Sequence, residues 1–63
     1  MRLCKFTHKF TGEWVYINSE YVVDINVDNG TTYIGTVIGD RWPVEEMVGD
    51  VVSRLTKEGR KNG

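Results

Sequence analysis

Sixty-three residues, 40% of them apolar and 27% charged, make one small globular domain and leave no room for a multidomain enzyme or a deep cofactor cleft. A core of this size buries only about 60% of the unfolded chain's surface, so stability is marginal and self-association would add to it. The net charge of −1 and a pI of ≈ 5.7 lack the strongly basic footprint of a dedicated nucleic-acid binder.

Residues 2–10 alternate imperfectly, with Cys4 and Phe6 on one side and Leu3, Lys5 and Thr7 on the other, which predicts a first strand ending at a Thr11-Gly12 turn. Residues 13–17 (Glu-Trp-Val-Tyr-Ile) are aromatic and β-branched and predict a second strand. Asn18, Ser19 and Glu20 supply turn chemistry after it. The clearest local signal lies in residues 22–37. Asn29-Gly30 predicts a type I′ hairpin turn, because both central positions need φ > 0. That turn fixes a register of Val27 facing Thr32, Asn26 facing Tyr33, Ile25 facing Ile34 and Val23 facing Thr36. Val23, Ile25, Val27 and Ile34 then share the core face, with Asp24, Asn26 and Tyr33 opposite. Gly35 and Gly39 mark a bulge or bend.

From Gly39-Asp40 the period changes to 3.6. Val44, Met47, Val48, Val51, Val52 and Leu55 form an apolar stripe at helical offsets. Pro43 suits a first helical position, Glu45 and Glu46 a first turn, Arg54 and Lys57 a last turn, and Gly59 a stop. The expected fold is therefore α+β: a small antiparallel sheet of three to four strands packed on one C-terminal helix over about 43–57. It forms a single compact ββββα domain over residues 1–57, with a flexible tail over 58–63. Met47, Val48, Val51 and Leu55 are expected to be mostly buried.

Chemistry is sparse along this frame. Cys4 is the only cysteine and has only His8 nearby, so neither a disulfide nor a zinc site is expected. Four residues apart on a strand, the pair would sit about 13 Å apart, whereas a nucleophile and its base need about 3 Å. The run Asp24-Ile-Asn-Val-Asp28-Asn-Gly30 resembles the start of a calcium-binding loop, but Gly falls one place late and Gly35 stands where a bidentate Glu belongs. Asn29-Gly30-Thr31 matches a glycosylation sequon that the turn already explains. No phosphate-binding glycine loop has the required spacing. No catalytic activity, cofactor, metal or small-molecule substrate is expected.

Aromatic side chains are the remaining candidates. With Val15 and Ile17 beneath the helix, Trp14 and Tyr16 point to the opposite face, together with Tyr33. Trp14, Tyr16, Tyr33, Arg41 and Trp42 are the expected partner-binding residues, because Trp, Tyr and Arg dominate interaction hot spots. The function this implies is a non-enzymatic protein–protein interaction module, a bacterial or phage-encoded regulator or inhibitor of a host protein. Its partner would be another protein or a second copy of the chain. The alternative is a weak nucleic-acid-binding accessory protein using Arg2, Lys5, Lys9, Arg54, Lys57, Arg60 and Lys61 at the two basic ends, each +3, that flank a −7 middle over residues 12–50. No apolar run reaches the roughly 18–20 residues of a membrane span and no signal peptide follows Met1-Arg2-Leu3, so a cytoplasmic location without membrane insertion is expected.

The stretch Gly12-Glu-Trp-Val-Tyr-Ile-Asn-Ser-Glu-Tyr-Val-Val-Asp-Ile25 resembles the FlbD/SwrD family of small flagellar and swarming-motility proteins. Asn29-Gly30 followed by Tyr33, and Val44-Glu45-Glu46, are also similar to that family. The resemblance spans roughly residues 3–55 and implies a sheet-plus-helix fold and a motility-linked role. Residues 35–42 stand as an insertion against the family pattern, and Trp42-Pro43 replaces its Glu-Ser helix entry.

Overall fold

The computed structural model describes residues 2–57. Met1 and the expected tail over 58–63, with Gly59, Arg60 and Lys61, lie outside the described residues. The described residues form five strands and one helix: β1 (Leu3–Thr7), β2 (Trp14–Asn18), a single 3-10 turn (Ser19–Tyr21), β3 (Val22–Asp28), β4 (Thr31–Thr36), β5 (Arg41–Val44) and α1 (Val48–Lys57). It is an α+β fold of two antiparallel sheets, β1-β2 and β3-β4-β5.

Each connection has a local cause. Between β1 and β2, Gly12 takes φ 75°, its N–H donates to the His8 carbonyl, and His8 Nδ1 accepts from the Phe10 and Thr11 amides at 3.2 and 3.3 Å. Asn18 caps the 3-10 turn by accepting from the Glu20 amide at 3.0 Å. Asn29 at φ 56° and Gly30 at φ 81° make the expected hairpin turn, and Ile25 faces Ile34, Asn26 faces Tyr33 and Val27 faces Thr32 as the turn dictates. Beyond Asp24 the register shifts by one. A bulge sets Val22, not Val23, opposite Thr36. Val23 is thereby turned out to solvent, and Val27, next to the turn, is exposed as well, so neither joins the core as the simple alternation predicted.

The larger correction concerns residues 41–47. Arg41–Val44 is not the first turn of a helix but a fifth strand, paired Gly35 to Arg41, Ile34 to Trp42, Tyr33 to Pro43 and Thr32 to Val44. Pro43 fits there because its carbonyl accepts from Lys9 on the β1 side, so its missing N–H also faces that way and the β4 ladder is uninterrupted. The helix begins only at Val48. Val51 is fully buried and Leu55 half-buried, whereas Met47 is 74% exposed and Val48 40%, so half of the expected stripe lies outside the core.

The two sheets meet at one bridge, His8 to Val44, flanked by the Lys9–Pro43 and Thr7–Glu45 backbone hydrogen bonds at 2.9 Å. Cys4, Phe6 and Ile17 from one sheet close on Ile34 and Val44 from the other, and Val51 seals them from the helix. Glu45 and Glu46, expected in a helix first turn, precede the helix instead. Glu46 accepts from the Thr7 amide at 3.0 Å and from its hydroxyl at 3.1 Å, and Arg54 donates to the Lys5 carbonyl at 2.8 Å. Together they occupy the hydrogen-bonding edge of β1 that β2 leaves open.

Candidate functional site

Strand alternation decides where the aromatic residues go. In β1-β2 the pairs Cys4–Ile17 and Phe6–Val15 turn inward, so Lys5–Tyr16 and Thr7–Trp14 turn outward. Trp14 is 67% exposed and Tyr16 57%, and no part of α1 covers them. Lys5 Nζ lies 3.6 Å from the centre of a Trp14 ring, a cation–π contact across the strand pair.

The other expected partner-binding residues are not gathered onto that face. Tyr33 and Arg41 lie on the outer side of β3-β4-β5. There Arg41 reaches across Gly35 to the Asp24 carboxylate at 3.3 Å and to the Asn26 side chain. The bare Gly35 leaves this pair its room: a Cβ here would push the Asp24 carboxylate aside and come within 2.9 Å of Arg41 Nη1. The acidic and amide side chains that resemble a calcium loop are therefore committed in part to an arginine. Trp42 faces the opposite way, inward beside Ile34, with His8 edge-on at 6.2 Å between ring centres.

A cleft of about 230 Å³ opens at the seam between the end of β2 and the β4–β5 connection. Tyr16, Tyr21 and Trp42 contribute three aromatic rings to it, Val37 and Ile38 an apolar wall, and Asp40 a carboxylate. The Val37 amide donates to the Tyr21 carbonyl at 2.9 Å and the Thr36 amide to the Asp40 carbonyl at 3.0 Å, so the tip is held by backbone. Tyr16 thus joins the outer aromatic face to the cleft, and Trp42 enters from the core side. Tyr21, Val37, Ile38 and Asp40 are invisible as site residues in the sequence, because only the chain's turn from β2 into β3 brings them together. The one available signal is the apolar pair Val37-Ile38 sitting in a Gly39 turn, where polar residues are usual.

The chemically reactive side chains are placed structurally. Cys4 is buried with its thiol 3.7 Å from the Arg54 carbonyl, and His8 holds the β1–β2 turn. Among the described residues, no three His, Cys, Asp or Glu side chains gather to hold a metal ion. No described helix is long and apolar enough to cross a membrane. No protein-family model, curated protein or solved structure matches the chain.

Proposed function

We propose that this chain is a non-enzymatic protein–protein interaction module, a small regulator or inhibitor that works by occupying a partner's surface. The observation that carries this reading is the exposure of Trp14 and Tyr16 side by side on β2, with Leu3 and Lys5 beside them and the helix on the other side of the sheet. Large aromatics in water are costly for a protein whose core, among the described residues, holds six buried apolar side chains. Association recovers that cost, and Trp and Tyr anchors dominate the energy of interfaces. The partner is a second protein or a second copy of the chain.

Replacing Trp14 and Tyr16 with Ser tests the reading. The double variant should keep the circular dichroism and melting behaviour of the parent while losing dimerisation at high concentration or capture of its partner. If the parent sediments as a monomer and the double variant unfolds, those side chains serve the fold and the proposal fails.

A further inference from the structure

Resting on that reading of the chain as an interaction module, we infer that the cleft between β2 and the β4–β5 connection receives an arginine side chain from the partner. Two properties of the cleft point to this chemistry. Its walls present the rings of Tyr16, Tyr21 and Trp42, whose negative faces attract cations. Its one charged side chain among the described residues is the Asp40 carboxylate, which makes no ion pair with them. Rings and a carboxylate, with no cation among the described lining residues, disfavour a phosphate or carboxylate ligand. They match a guanidinium, which is planar, stacks on aromatic rings and carries five donors and no acceptor.

The described arginines of this chain are engaged elsewhere: Arg2 with Glu20, Arg41 with Asp24 and Arg54 with Glu46. Ile38 at the rim is 78% exposed and gives the aliphatic stem of an incoming side chain an apolar surface. The volume suits one long side chain rather than a drug-sized ligand, which fills roughly 300–1,000 Å³. The partner segment is therefore a basic one, matched to the −7 stretch over residues 12–50 from which the cleft is built.

Three nine-residue Gly/Ser peptides with three Arg, three Lys or three Gln test the inference, read by NMR shifts of the Trp42 indole N–H, with a Trp14→Phe variant assigning the two indoles. The expected order of affinity is Arg, then Lys, then Gln. Asp40→Asn should weaken the arginine peptide about tenfold, the loss of one good cation contact. It should still fold, because the tip uses the Asp40 backbone oxygen and not its carboxylate. Tyr21→Ser should weaken binding similarly, and Asp28→Asn, outside the cleft, should not. Any other order of peptides, an Asp40→Asn protein that binds as well as the parent, or an equal loss in Asp28→Asn overturns the inference. Trp14→Ser separates the two proposals, since Trp14 is not part of the cleft. If it abolishes partner capture while Asp40→Asn changes nothing, the cleft assignment fails and the interaction module stands. If the peptide binds through Asp40 and Trp14→Ser is silent, the outer-face reading fails alone.

Discussion

A single missing side chain organises the outer surface of the three-stranded sheet. Gly35 is the central residue of a row running Asp24, Gly35, Arg41 across β3, β4 and β5, and its bareness lets the guanidinium span the middle strand. The pair is half-exposed, so its worth is modest, about 1 kcal/mol or less. Gly35→Ala should cost about that much, because the new methyl displaces the Asp24 carboxylate and breaks the pair. In an Asp24→Ala background the same substitution should be close to neutral, since the obstructing carboxylate is gone. Urea denaturation of the four proteins of this double-mutant cycle measures the coupling. Equal costs in both backgrounds would assign the glycine's importance to backbone freedom instead. Glu46 is the counterpart on the other side of the molecule, a carboxylate 14% exposed that serves Thr7 and Arg54 at once.

At the level of elements, the β3–β4 hairpin was legible and the start of the helix was not, for reasons that can be named. Asn29-Gly30 couples turn type to register, so a local signal reaches five residues along both strands until the bulge at Val23 absorbs one residue. No turn residue announces that bulge. The helix was misread at its start because Val44 sits at the right offset for the stripe by coincidence. Its burial comes from pairing with Thr32 and bridging to His8, long-range contacts that a window of residues cannot contain. Pro43 fits both a helix start and an edge position of a strand, and the tertiary context chose the second. The two halves of the stripe should therefore respond differently. Val51→Asp places an unpaired carboxylate at a fully buried site, at a cost of about 4 kcal/mol or more. That is comparable with the roughly 3–9 kcal/mol expected of the whole domain at 0.05–0.15 kcal/mol per residue. Met47→Asp, at a site 74% exposed, should leave the thermal melt within a few degrees of the parent. A folded Val51→Asp protein by circular dichroism would contradict this picture of the core. The aromatic site was half legible for the same reason: alternation along β2 sends Trp14 and Tyr16 outward, but no periodicity links Tyr16 to Tyr21, Asp40 and Trp42.

For the molecule as a whole, the described basic side chains of the two ends are drawn to acids and rings rather than gathered into a patch. Arg2 sits 4.0 Å from Glu20, Arg54 3.6 Å from Glu46 and Arg41 3.3 Å from Asp24, so each described arginine faces an acid. Lys5 is drawn over Trp14, which leaves Lys9 as the one described lysine of the first strand region not held by a neighbouring ring or acid. Arginine forks are the groups that grip phosphates bidentately, and the three described arginines spend that capacity within the fold. Phosphate contacts supply most of the affinity of any nucleic-acid complex and release counterions as they form, so affinity tracks the number of free cations and falls with salt. With the described arginines paired and a pI of ≈ 5.7, binding to duplex DNA or single-stranded RNA should be no tighter at physiological salt than the roughly 10⁻⁴–10⁻⁶ M of sequence-independent contacts, and should fall steeply toward 200 mM salt. Fluorescence anisotropy across a salt series measures both quantities. Nanomolar binding that persists at 200 mM salt would require the intramolecular pairs to open in favour of phosphate, and it would move the nucleic-acid reading ahead of the interaction module.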